Sequence, residues 1–207
     1  VSPYCKYNLF GTKTGRLTTK KNSFPVLTLA KEMRPVIQPE RDFFVSFDFN
    51  GAELRTLLAL GGSEQPLEDI HEWNRVNVYR ETGSREEAKK RLFSWLYNPG
   101  SKDQMANKFY DRDSLVKKHW DGTHVSTPYG RLIEVDKRKA LNYLIQSTTS
   151  DMVLEQAVKL DCFLEDYKSR IAFIIHDEVV LDISEEEAHL LPQMKQIFAD
   201  TRFGTYI

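Results

Sequence analysis

The hydrophobic patterning of this 207-residue chain predicts an α+β fold, an antiparallel sheet carrying acidic residues together with a helical subdomain inserted in the sequence. Three observations predict it. Short runs rich in aromatic and β-branched residues, Phe43 to Phe47, Ile171 to Ile175 and Val179 to Ile183, read as strands. Polar, helix-periodic segments and one long amphipathic stretch separate the first run from the other two. An Asp stands at the end of the first strand and another between the last two, at Asp48 and Asp177.

Residues 1 to 41 read as irregular and turn-rich, punctuated by Gly11, Gly15, Pro25, Pro35 and Pro39. The run from Phe43 reads as a buried strand ending at Asp48, after which Leu54, Leu57 and Leu58 take up helical spacing. Gly61-Gly62-Ser63 and Pro66 mark a loop. A mostly helical, polar section runs from about Leu67 to Leu115 with a break at Asn98-Pro99-Gly100. Trp120 to Val135 reads as a hairpin turning at Tyr129-Gly130. The long helix is expected over about Asp136 to Tyr167, where Leu141, Leu144, Ile145, Met152, Ala157, Leu160 and Leu164 form an apolar stripe. The two strands that follow make a tight hairpin with His176, Asp177 and Glu178 at its tip, and a helix from Glu185 to about Asp200 comes after them. Tyr206-Ile207 reads as the start of a strand.

An apolar fraction of 41% and a charged fraction of 29% are ordinary for a globular chain of this length, which is enough for one large domain or two small ones. No segment is apolar for long enough to span a bilayer, and the first residues lack the form of a secretion signal. Two cysteines, Cys5 and Cys162, offer neither a disulfide framework nor metal spacing and suit a reducing compartment. The net charge of −1 conceals an asymmetry: residues 1 to 41 sum to +6, leaving −7 for the rest. A basic arm beside an acidic cleft suits a binder of phosphate backbones that uses metal chemistry.

Four constellations bear on chemistry. If the strands bearing them are neighbours, Asp48 and Asp177 converge, and such a pair is built to hold oxygen-ligated divalent metals about 4 Å apart for phosphoryl transfer. Arg85, Lys89, Phe93 and Tyr97 recur every four residues along one helix face, placing two cations for a polyphosphate beside two aromatic rings for a base and sugar. Asn142, Gln146 and Thr149 share a face of the long helix, where side-chain amides suit minor-groove acceptors. Thr14-Gly15-Arg16-Leu17-Thr18 forms a turn that presents one Arg within the basic arm.

Taken together and in order, these motifs resemble the family A DNA polymerases from Thr14 to about Ile183. Asp48-Phe-Asn-Gly-Ala-Glu53-Leu-Arg is similar to the first palm motif, Arg85 to Tyr97 to the nucleotide-binding fingers helix, and His176-Asp177-Glu178 to the second carboxylate motif. Thr127-Pro-Tyr-Gly-Arg131 followed by Asn142-Tyr-Leu-Ile-Gln146-Ser, and Asp69-Ile-His71, match further elements of that family. The resemblance implies template-directed addition of deoxynucleotides to a primer 3′ end by two-metal nucleotidyl transfer. Asp48 and Asp177 would bind two Mg²⁺ ions, with Mn²⁺ a possible substitute and Glu178 a weaker ligand. Arg85, Lys89 and His71 would hold the incoming phosphates, with Lys89 also the general acid for pyrophosphate. Phe93 and Tyr97 would frame the sugar and the new base pair, and Phe at 93 implies discrimination against nucleotides lacking a 3′-hydroxyl. Glu53 would pack under the sugar and exclude a 2′-hydroxyl. Arg16, Arg138, Asn142, Gln146 and His176 would contact the primer-template DNA.

The implied layout is a palm over residues 1–58 and 136–207 with reduced fingers over 59–135. The sequence departs from the family at Ser94 and Asn98, where Gly is common, and in the short span between Tyr97 and Gln146. A palm-and-fingers portion is expected, with thumb and exonuclease absent or supplied by a separate chain. That leaves, as the alternative, a non-catalytic or incomplete DNA-binding fragment, while a single-subunit RNA polymerase is disfavoured by Glu53 and Glu178. The expected partners are primer-template DNA and dNTPs, not a membrane, and the expected location is a cytoplasm, at the nucleoid.

Overall fold

The computed structural model describes residues 4–206. The turn-rich start contains a small antiparallel hairpin of β1 (Tyr7–Asn8) and β2 (Thr18–Thr19), then a 3-10 turn over Lys31–Val36. Strand β3 (Phe43–Asp48) leads into helix α1 (Ala52–Leu60). Gly51 makes that transition possible: its φ is 65°, and a Cβ there would lie 2.5 Å from Ile70 Cγ2. The helical section is α2 (Ile70–Asn77), α3 (Arg85–Tyr97), α4 (Gln104–Tyr110) and α5 (Arg112–His119). Each of these starts at a polar cap, Asp69, Ser84, Asp103 or Asp111, whose side chain accepts the N–H three residues on. The hairpin of β4 (His124–Ser126) and β5 (Leu132–Glu134) precedes α6 (Lys137–Phe163). Next come β6 (Arg170–Ile175), β7 (Glu178–Ile183), a 3-10 turn over Glu185–Leu190, α7 (Leu191–Ala199) and the short strands β8 (Asp200–Thr201) and β9 (Gly204–Thr205).

The described residues divide into two compact units. One contains the chain up to Phe49 together with Ser150–Thr201; the other contains Asn50–Thr149 and the residues from Arg202 on. In the first unit the sheet order is β3-β7-β6, antiparallel throughout. β7 is the central strand and is buried from Val179 to Ile183, whereas no residue of β3 is fully buried. The expectation that the Phe43 run is a buried strand is therefore corrected: its apolar residues mark a half-covered edge, and burial on both faces falls to β7. Phe47 and Phe49 pack on Phe198 of α7, with ring centroids 5.7 and 4.0 Å apart. Gln156 of α6 is fully buried and its amide donates to the carbonyls of Ile197, Phe198 and Asp200, closing the end of α7.

The second unit has its own core, in which Leu54, Leu57, Ile70, Leu92, Trp95, Leu96, Leu141 and Leu144 are buried. Arg55 is fully buried within it. Its guanidinium donates to the carbonyls of Asn50, Pro66 and Glu68 at 2.9, 2.8 and 3.0 Å and so fastens the loop between α1 and α2.

Three further boundaries differ from the sequence reading. Helix α6 ends at Phe163 rather than near Tyr167, because the Arg170 side chain takes the carbonyls of Leu164, Tyr167 and Ser169 and turns the chain. The last helix is split: Pro192 lacks an N–H and suits a helix start, so the α-helix begins at Leu191 and a 3-10 turn precedes it. The strand expected to begin at Tyr206 instead ends at Thr205; Tyr206 is buried with its hydroxyl 3.3 Å from Thr56 Oγ1, and Ile207 lies outside the described residues. Among the described residues no helix is long and apolar enough to cross a membrane.

Candidate active site

The chemistry-bearing residues fall into two groups, one in each unit. In the first, antiparallel pairing puts Asp48, the last residue of β3, directly across from Glu178, the first of β7. Strands β6 and β7 are joined by His176 and Asp177 alone, since Ile175 pairs with Glu178. His176 is exposed and held at φ 57°, a conformation with a cost for a residue that has a Cβ. Asp48 and Asp177 thus stand at one end of one sheet. The effect is visible in Asp48, whose carboxyl is raised above its ordinary range first by partial burial and then by the charges of Asp177 and Glu178.

Carboxylates that repel one another in this way suit a hard divalent cation. Among the described residues no group of three His, Cys, Asp or Glu side chains closes into a cage that could hold an ion unaided. That is compatible with Mg²⁺, which keeps several waters and is held through one or two carboxylates plus substrate phosphate oxygens. Asp48 and Asp177 fit that donor set. Glu178 is already engaged: Oε1 accepts from Ser46 Oγ at 2.5 Å and Oε2 from Arg34 Nη1 at 3.4 Å.

In the second unit, α3 turns two different faces. Ala88, Leu92, Trp95 and Leu96 are buried in the core, while Phe93 is half-buried and Tyr97 more exposed on another face, their rings stacked 6.0 Å apart at 10°. His71 of α2 joins them, its ring 6.0 Å from Phe93. Burial first, and the nearby Lys89 second, hold the His71 imidazole below its usual range, which favours its neutral form. Lys89 makes no ion pair among the described residues. Arg85, by contrast, is taken up. It donates to both Asp69 oxygens at 2.9 and 2.7 Å and to Glu86 at 2.5 Å. The Tyr97 hydroxyl donates to Glu53, a carboxylate only 9% exposed at the start of α1.

Of the residues expected to touch DNA, Arg138 and His176 are exposed, and Arg16, Asn142 and Gln146 are half-buried. Asn142 Oδ1 is buried without a hydrogen-bond partner among the described residues. Thr149 departs from the reading that grouped it with these amides: it is buried, and its hydroxyl donates to Thr56 Oγ1 at 3.0 Å. Helix α6 is buried at Ser147, Thr148 and Thr149 in succession, so a simple outward polar face does not extend that far.

Four residues that received no role from the sequence hold these groups in place. Asp69 caps α2 and clamps Arg85; Asn50 donates to Asp69 at 2.7 Å and accepts from the Ile70 N–H at 2.8 Å. Ser46 and Arg34 fix Glu178. Asp69 could have been found as an N-cap, since it directly precedes a helical pattern. Arg34 and Ser46 meet Glu178 only through the pairing of strands distant in sequence.

No family model matches the chain. It is 23% identical to the thermostable DNA polymerase I of Thermus aquaticus over 92% of its own length, and 24% identical to DNA polymerase I of Lactococcus lactis over 85%. It spans 29% and 26% of those relatives' lengths. Among solved structures it is similar to the POL domain of Pol1 from M. smegmatis, in a complex with DNA primer-template and dNTP, with a TM-score of 0.77 and 19% identity over 98% of this chain and 46% of that one. The chain therefore has the fold of a DNA polymerase I polymerase domain, and its resemblance to the family A DNA polymerases extends over most of its length.

Proposed function

We propose that this chain carries the nucleotide-adding centre of a template-directed DNA polymerase. One observation carries the proposal: Asp48 and Asp177 meet at one end of the β3-β7-β6 sheet, close enough for the charge of one to raise the carboxyl of the other. Asp48 and Asp177 would hold Mg²⁺ together with substrate oxygens. Bound there, Mg²⁺ would ease loss of the primer 3′-hydroxyl proton and offset the charge of the triphosphate. Lys89 would give fixed positive charge to the triphosphate and a proton to the departing pyrophosphate. Neutral His71 donates a hydrogen bond without adding charge, and Arg85 reaches phosphate by exchanging its exposed partner Glu86 while Asp69 keeps its orientation. The Phe93 and Tyr97 rings offer a surface for sugar and base. Glu53, positioned by the Tyr97 hydroxyl, excludes a ribose 2′-hydroxyl. Arg16, Arg138, Asn142, Gln146 and His176 contact the primer-template duplex. The similarity in fold to a polymerase solved with primer-template and dNTP supports the choice of substrates.

Primer extension with Mg²⁺, run beside duplex binding by fluorescence anisotropy, tests this reading. Asp177→Ala should abolish incorporation while leaving duplex affinity within about threefold, since binding rests mainly on phosphate contacts. Undiminished incorporation by Asp177→Ala would remove the mechanism.

A further inference from the structure

We infer that the Leu9-Phe10 tip of the β1-β2 hairpin is an apolar wedge that enters the minor groove of bound duplex DNA. This contact adds to the Arg16 contact proposed above and rests on that reading. Phe10 is 86% exposed and Leu9 56%, so two adjacent large apolar side chains stand in solvent at the end of a two-strand ribbon. A floppy loop would need no explanation, but this one is fastened. The Phe10 N–H donates to Asn8 Oδ1 at 3.1 Å, Thr12 Oγ1 donates to the Arg16 carbonyl at 2.9 Å, and the Gly15 N–H donates to the Thr12 carbonyl at 3.4 Å. A Cβ at Gly11 would collide with Thr18 Oγ1, so the loop lies close against β2.

The hairpin is also tied to the carboxylate-bearing sheet. β6 is an edge strand, and the Tyr7 hydroxyl satisfies both of its outward groups at Ile174, donating to the carbonyl at 2.7 Å and accepting the N–H at 2.8 Å. Ile174 stands three residues before Asp177 on the strand that leads into its turn. The apolar tip is thus held by the element that positions the acidic centre.

Charge selects the partner. Lys13 in the loop and Lys6, Lys20 and Lys21 at the open end of the hairpin are exposed, and none forms an ion pair among the described residues. No acidic residue occurs before Glu32. An apolar knob that shares its loop with Lys13 and Arg16, on a hairpin whose open end carries three more cations, matches the way minor-groove proteins seat Phe or Leu between base steps while basic side chains hold the flanking phosphates.

The test uses the 207-residue chain, a fluorescein-labelled primer-template duplex and anisotropy at several salt concentrations. Phe10→Ala should weaken binding about tenfold, with the slope of log K against log salt unchanged because no charge is removed. Phe10→Trp should retain affinity, and a 2-aminopurine at the contacted step should brighten with the natural chain and not with Phe10→Ala. Since Phe10 is exposed, a matching thermal melt is expected for both variants. Affinity of Phe10→Ala within twofold of the natural chain overturns the wedge and leaves the polymerase reading intact. Absence of duplex binding by the natural chain at low salt overturns both. Loss confined to anionic phosphatidylserine vesicles, with duplex binding unaffected, would assign the tip to a membrane surface and also overturn the wedge.

Discussion

Glu53 and Arg55 show how two charged residues on one short helix come to be buried for different reasons. Glu53 is 9% exposed and accepts from the Tyr97 hydroxyl, so its carboxylate is kept in one orientation. Replacing it by Ala should raise ribonucleotide incorporation relative to deoxynucleotide by at least about tenfold in single-turnover assays, because the side chain that fills the 2′ position is gone. Tyr97→Phe should give a smaller change in the same direction, since Glu53 stays but loses one donor. Equal sugar selectivity in both variants and the natural chain would remove Glu53 from that role. Arg55 serves stability instead. Its three carbonyl partners lose a charged donor on Arg55→Ala, and hydrogen bonds to charged groups contribute about 1.5–3 kcal/mol each, so a loss of at least about 3 kcal/mol is expected in the unfolding free energy read from urea denaturation. Arg55→Lys should not restore it, since one ammonium cannot span three acceptors held in a planar fork. The sequence singles out Glu53 only through the motif it belongs to. The carbonyl clamp of Arg55 was not legible there, because its acceptors lie on a loop whose path depends on the fold.

At the scale of elements, the α2-α3 pair joins a His whose pKa is lowered by burial to an Asp whose pKa is lowered by a salt bridge. An unfolded His takes its proton near about pH 6.5 and folded His71 takes it lower, so below that pH the unfolded chain binds more protons and stability falls. His119 shares the direction, through burial. Chemical denaturation from pH 7.5 down to 5.5 should therefore show declining stability, by up to about 1.4 kcal/mol per pH unit for each such His, and His71→Gln should flatten part of the decline. A parallel decline in that variant would assign the effect elsewhere. Asp69 acts in a separate window: Arg85 holds it well below the usual carboxylate range, so its stabilisation is complete above about pH 4 and is lost only as the pH falls further. The helical spacing of α3 announced which residues share a face, and its Ser84-Glu87 capping box announced where it starts. It did not announce that Arg85 is held by Asp69, since that bond joins two helices.

For the whole molecule, local patterns located the strands, the carboxylate turn and the long helix, because periods of 2 and 3.6 are written into residue order. They erred where coverage decides the outcome: β3 reads as buried yet lies at a sheet edge, and Thr149 reads as sharing an outward face with Asn142 and Gln146 yet is buried. Charge asymmetry was legible from composition, and it makes a prediction that no single contact makes. The whole chain is nearly neutral, at −1, so its average charge gives no drive toward DNA, but the first 41 residues carry +6 and the exposed Lys6, Lys13, Lys20 and Lys21 stand together on the opening hairpin segment. If this arm grips the backbone, each phosphate neutralised releases condensed counterions, and log K should fall against log salt with a slope on the order of −4 for four or five contacts. The Lys20→Ala, Lys21→Ala double variant should make that slope shallower by about 2, while Asp177→Ala, which removes negative charge from the centre, should not make it shallower. Anisotropy between about 50 and 200 mM salt reads both. A natural chain whose affinity is flat across that range would show that the basic arm faces solvent and that DNA, if bound, is held elsewhere.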